Sequence, residues 1–168
     1  IPTLKLVTAS IGAISPVSVV PVDNDIFFLS RNGVRSLGYQ SGFNFDVLRT
    51  AEISVKIRPA FKNLTTMQKQ NAVAIYHDNK YIIAFPGKDE IYIFDRERIC
   101  WLGPWSLDST IFDVFYDDNN DQHLLFAPEG GVNIDEFSET YTDDKGTAID
   151  TILKTRNEDF GDWSLFKY

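Results

Sequence analysis

Cysteine occurs once, at Cys100, so the chain can close no internal disulfide and offers no multi-cysteine zinc site. In Arg98-Ile99-Cys100-Trp101-Leu102 that thiol reads as a small buried hydrophobe, not a nucleophile. Histidine is nearly as scarce, with only His77 and His123 to partner it. Basic residues are few as well: 16 Lys and Arg stand against 24 Asp and Glu, a formal charge of -8, with no basic run. Phosphate backbones are held by clustered Lys and Arg, so sequence-specific nucleic-acid binding is excluded. The acidic balance reads first as a solubility device. Long apolar runs are missing too, which excludes insertion into a membrane by a helix. The apolar residues near the start are interrupted by Lys5, Thr8 and Ser10 and stopped by Pro16, unlike a secretory signal. The chain opens on Ile1, not Met, which fits a processed or excised piece of something longer. Gly-rich phosphate loops, Gly-x-Ser-x-Gly and His-Glu-x-x-His are all absent, and no cofactor is expected.

What the chain does have is a sentence written three times. It runs from Asp25 to Leu37, from Lys80 to Asp95 and from His123 to Phe137. Each copy is a β-rich apolar run, a turn with Gly, and a second run mixing apolar and polar residues. Recurrence at such a spacing points to the blades of a β-propeller or a related array. The 168 residues suffice for one domain with a sizeable core, and 43% hydrophobic content argues against bulk disorder. Aromatics make up 14%, which suits flat rings packing on a pleated sheet.

Between the copies the pattern predicts an antiparallel meander. Val17 to Val22 reads as a short strand, and Arg31-Asn32-Gly33 as a type I′ hairpin turn. Ile53-Ser54-Val55-Lys56-Ile57 alternates cleanly and reads as extended. Pro59 can open a helix, and Phe61, Leu64, Thr65 and Gln68 keep helical spacing, so one short helix is expected over residues 59–71. Strands follow at Ala72 to His77, Lys80 to Phe85, Glu90 to Asp95 and Cys100 to Leu102, the last stopped by Gly103-Pro104. Ile111 to Tyr116, Gln122 to Ala127, Val132 to Phe137 and Ala148 to Thr155 complete the strands, and Trp163 to Tyr168 reads as the start of another.

Other strings invite chemistry and decline it. Asp117-Asp118-Asn119-Asn120-Asp121 has the oxygens for calcium, but Gln122 and Pro128 stand at the sixth and twelfth positions, where the EF-hand needs Gly and an acid. It reads as a solvated turn. Ser30-Arg31-Asn32-Gly33 approaches a sialidase Asp-box but misses its spacing and its Asp. Asn63-Leu64-Thr65 fits a glycosylation sequon, taken as coincidence. Trp101-Leu102-Gly103-Pro104-Trp105 reads as two rings closing the edge of a core, with a binding platform as the alternative. No catalytic, cofactor or metal residue is assigned.

Three stretches together carry a family resemblance: Asn71 to Phe85 with Tyr92-Ile93-Phe94-Asp95 and Trp101 to Trp105, the helix before them, and Thr142 to Thr155 with the aromatic end. The chain resembles, over residues 20–168, the β-propeller proteins of short-tailed bacteriophage tails, the nozzle and packaged-DNA stabilisation class. Asp143-Asp144-Lys145-Gly146 departs from the tighter Asp-Gly of that pattern. The resemblance implies a mainly β fold of antiparallel propeller blades in a single domain over residues 1–168. Three or four blades fill that length, so the propeller is partial or continued elsewhere. It further implies a non-enzymatic virion structural protein, homo-oligomeric, partnered by other tail proteins and placed around the DNA exit channel. The alternatives are a cellular propeller serving as an interaction platform and a propeller that binds or cleaves glycans, for which Asp89 and Asp135 are the acids to test.

Overall fold

The computed structural model describes residues 11–38, 49–138, 143–144 and 147–148. The chain divides into a unit spanning Ile1–Phe137 and a second spanning Ser138–Tyr168. The first unit is mainly β, built from three antiparallel sheets that follow one another along the chain.

Strands β1 (Val20–Val22), β2 (Asp25–Ser30), β3 (Gly33–Gly38) and β4 (Arg49–Glu52) make the first sheet, in chain order. Strands β5 (Val73–His77), β6 (Lys80–Phe85), β7 (Glu90–Asp95) and β8 (Cys100–Trp105) make the second, again in chain order. Strands β9 (Ile111–Tyr116), β10 (Gln122–Ala127) and β11 (Asp135–Phe137) make the third. Every pairing is antiparallel between neighbours in sequence. The three copies of the repeated sentence are thus β2–β3, β6–β7 and β10–β11, the same two strands of each sheet.

The sheets stack face to face. Val20, Val22, Phe27, Leu29 and Val34 of the first sheet share a core with Tyr81, Ile83, Phe85, Tyr92 and Phe94 of the second. The alternate residues of the second sheet, Val73, Ile82, Ala84, Ile91 and Ile93, pack instead with Leu124, Phe112, Val114 and Phe137 of the third. Successive side chains on a strand point to opposite faces, so the second sheet is covered on both. That explains why Tyr81-Ile82-Ile83-Ala84-Phe85 and Ile91-Tyr92-Ile93-Phe94 read as unbroken apolar runs. β9 and β10, with one covered face, alternate. β1 lies against β5 and β5 against β9, so the first strands of successive sheets are neighbours.

Before the second sheet the helix expected over residues 59–71 is two helices, α1 (Arg58–Lys62) and α2 (Thr66–Gln70). Thr65 breaks the run because it caps α2: its Oγ1 accepts from Gln68 N at 3.2 Å while Gln68 Oε1 accepts from Thr65 N at 2.9 Å. Phe61 and Leu64 still enter the core, so the helical spacing survives the break. The alternation over residues 53–57 misled: β4 ends at Glu52 and Val55–Ile57 is a 3-10 turn. Ser54 ends the strand by turning its Oγ to accept from Val34 N at 3.0 Å.

Gly103-Pro104 does not stop β8, which runs on to Trp105 through a register shift opposite Ile91/Ile93. Gly103 sits at φ 107, and a Cβ there would meet Ile91 O at 2.7 Å, so only Gly allows the irregularity. The Arg31-Asn32 hairpin forms, but neither residue takes positive φ, so the turn is not type I′. Gly33 is needed for another reason: at φ 154 a Cβ would fall 2.2 Å from Ser54 Oγ. Val17 to Val22 is a 3-10 turn, Pro16–Ser18, followed by β1, and Val132 to Phe137 is strand only from Asp135. In the second unit β12 (Asp143–Asp144) pairs with β13 (Thr147–Ala148). The strand expected at Ala148 to Thr155, beyond Ala148, and the aromatic end at Trp163 to Tyr168 lie outside the described residues.

Ile83, at 0% exposure, faces the first sheet from the middle of the second. Ile83→Ala is expected to cost about 2–5 kcal/mol, read as a lower urea midpoint with an unchanged slope. A loss under about 0.5 kcal/mol would mean that the two sheets do not share a close-packed core.

Candidate functional site

The first and second sheets part at one end into a cleft of about 430 Å³. It is bounded by Asn79 and by the β7–β8 turn at Arg96 to Ile99, and turns rich in Asp and Asn recur between the first two strands of each sheet. Asp23-Asn24 joins β1 to β2, Asp78-Asn79 joins β5 to β6, and Asp117 to Asp121 joins β9 to β10. Asp and Asn suit these places because Asp23, Asp78, Asn79 and Asn120 all take positive φ. The Tyr76 hydroxyl ties the first two turns, 3.4 Å from Asp23 Oδ2 and 3.2 Å from Asn79 Oδ1. Burial and the nearby Asp78 and Glu97 carboxylates raise its pKa.

The floor of the cleft is Phe27, Phe94 and Ile53. Phe27 and Phe94 are buried rings packed edge-on at 5.9 Å, so they present no open aromatic face on which a sugar could stack. The polar rim is paired within itself. Asp25 Oδ2 accepts from Ser36 Oγ at 2.5 Å, and Asn79 Nδ2 donates to Glu97 Oε1 at 3.1 Å. Arg96 forms an ion pair with Asp23 that joins the two sheets across the rim. Behind it Asp95, 2% exposed, accepts from Arg98 N at 2.9 Å and from the Arg98 guanidinium at 2.6 Å. Those two bonds, the backbone one first, hold its pKa below the usual carboxylate range. The arrangement fixes turns and joins sheets; it does not set a base beside a nucleophile.

Ile99 also lines this cleft, 71% exposed and at φ 51. A β-branched residue in that conformation is strained. Nothing in its sequence signals this, because its neighbours compose an ordinary polar turn.

The residues that the sequence singled out fall apart in space. Cys100 is half-buried on β8, one edge of the second sheet, and His77 is on β5, the other edge. Three strand spacings separate those edges, about 14 Å, so they form no couple. His123 belongs to the third sheet, as does Asp135, while Asp89 sits in the β6–β7 turn of the second. The Asp117 carboxylate accepts from Asn119 N at 2.9 Å and Asp121 N at 2.8 Å, which is a self-capped turn. Among the described residues no group of three or more His, Cys, Asp or Glu is placed to hold a metal ion. Trp101 closes the core edge as expected, with its ring 5.2 Å from Phe94 and its Nε1 donating to Ile53 O at 3.0 Å. Trp105 does not: it stays 41% exposed, 6.3 Å from Phe137.

His123 is the one histidine built into a charged network. Its Nδ1 lies 2.7 Å from Glu136 Oε1 and its Nε2 3.8 Å from Asp117 Oδ2, so it links β10 to β11 and to the β9–β10 turn. The Glu136 bond, foremost, raises its pKa.

Comparison of the chain with protein-family models, with curated proteins and with solved structures gives no match.

Because the folded pKa of His123 is raised, its stabilising contribution is fully present below about pH 6.5 and is lost as pH climbs through the folded value. His123→Gln is therefore expected to lower the urea midpoint at acid pH more than at alkaline pH; an equal loss at both would sink the assignment. Ile99→Asn, which relieves the backbone, is expected to raise stability by about 1 kcal/mol, and a decrease in thermal midpoint would contradict it.

Proposed function

We propose that the three sheets are consecutive blades of a β-propeller, and that the protein is a structural part of a short-tailed bacteriophage tail. The observation that carries this is the double covering of the second sheet. Successive antiparallel meanders, stacked face to face with their first strands adjacent, are how a propeller arranges its blades. A radial array of this kind makes a rigid wall from sequence-local units.

In this reading the protein works as a wall of a homo-oligomeric ring around the DNA exit channel, beside other tail proteins, and not as a catalyst. Its electrostatics suit that task. The turns that end the first strands carry Asp23, Asp78, Asp117, Asp118 and Asp121. Asp23 and Asp78 are paired with Arg96 and Lys80; if the first strands line the axis, Asp118 and Asp121 edge the opening and repel phosphates, which keeps passing DNA mobile. The resemblance described above supplies the virion setting.

The test is labelling of particles. An antibody raised against the chain is expected to mark the tail vertex of virions from the phage that encodes it. Absence of label on both intact and disrupted particles would leave a cellular interaction scaffold as the reading of the same blades.

A further inference from the structure

The stack of three sheets has two unlike ends, and we propose that they bind each other between two copies of this chain, head to tail. The inference rests on the stacking half of the reading above and not on the virion setting.

In the second sheet, one face receives the preceding sheet and the other the following sheet. The third sheet uses its preceding-sheet face, with Val114, Leu124 and Phe137, against the second. Its opposite face carries Ile111 and Phe115, exposed by 58% and 56%, with Leu125 on β10 between them and the His123–Glu136 pair beside Phe115. By strand position this face corresponds to Val73, Ile82, Ala84 and Ile93, which in the second sheet are buried by a following sheet. Exposed apolar residues of this size on one face of a sheet mark an interaction surface.

At the other end, the first sheet's preceding-sheet face holds an apolar groove of about 270 Å³. Val19, Ile26, Phe28 and Leu37 line it, and Val19 and Ile26 are 43% and 38% exposed. One end therefore protrudes and the other is grooved. Arg35, on the grooved face, is only 15% exposed and already ion-paired with Glu52 at 3.9 Å, so the match between the two ends is one of apolar surface and not of charge. Asp113 lies on the protruding face, opposite Leu125 and between Ile111 and Phe115. A second copy that sets its first sheet on this third sheet repeats a packing the chain already makes twice. Such a contact is heterologous, so it propagates into a ring or an open row.

The experiment uses the full chain and two variants, Phe115→Asp on the protruding face and Ile26→Asp on the grooved face. Molar mass by light scattering is followed over a wide concentration range, with circular dichroism to confirm folding; Ile111→Lys replaces Phe115→Asp should that variant unfold. The unaltered chain is expected to grow in mass with concentration, and each variant alone to stay monomeric. An equimolar mixture of the two is expected to give a pair and nothing larger, because one intact protruding face meets one intact groove. A monomeric unaltered chain, variants that assemble as well as it does, or a mixture that stays monomeric would each overturn the proposal. None of those results bears on whether particles are labelled at the tail vertex.

Discussion

A sheet buried on both faces has no water to satisfy its polar groups, and the second sheet imposes that condition on everything around it. Its backbone is satisfied by ladders to neighbours in sequence. Its side chains are apolar wherever a neighbouring sheet covers them. The exceptions are handled one by one. Tyr81, fully buried, donates its hydroxyl to Ser18 O at 3.0 Å, and burial drives its pKa far up, so it stays a neutral donor. Asp95 is surrounded by the Arg98 backbone and guanidinium. Leaving either group unpaired would cost about 1–3 kcal/mol, a large share of a domain's stability.

The Tyr81 bond leads to a small buried hub. Ser15 donates to Ala72 O at 2.6 Å, Ser18 donates to Ser15 O at 2.7 Å, and Ser18 Oγ accepts from Leu29 N at 3.1 Å. One 3-10 turn thereby fastens β2 of the first sheet to the start of the second sheet and to its β6. Apolar stacking brings the sheets together without fixing their angle; directional bonds of this kind select one arrangement. The Arg96–Asp23 pair at the rim joins the same two sheets from the outside, in water, where an ion pair contributes little.

Much of this was legible. The turns at Asp78-Asn79 and Asp117 to Asp121 and the strands Lys80 to Phe85 and Glu90 to Asp95 lie where composition and pattern put them. The unbroken apolar runs of β6 and β7 carry the mark of two covered faces, which the meander expected from the sequence did not include. What failed was decided by distant partners. Ser54 leaves the strand pattern to reach Val34, and Thr65 divides a helix because Gln68 completes its cap. Gly103 carries β8 past the point where Gly-Pro reads as a stop. Ser15 and Ser18 could not be told from loop serines, since only the fold brings Ala72, Leu29 and Tyr81 to them. The repeat was legible as a hairpin, while its assignment to second and third strands needed the pairing. The two acids singled out there, Asp89 and Asp135, lie in different sheets, the second and the third.

Ordering sheets along one axis also sets how the unit loosens. Each sheet is stitched from strands adjacent in sequence, so its closure costs little chain entropy, and it touches only its neighbours. Opening an end sheet exposes one interface, whereas opening the middle exposes two. The amides of β6 and β7 therefore belong to the last part of the unit to exchange with solvent, and those of β9 to β11, alternating and covered on one face, to the first. A stack of sheets built this way yields from its ends inward and keeps its centre intact.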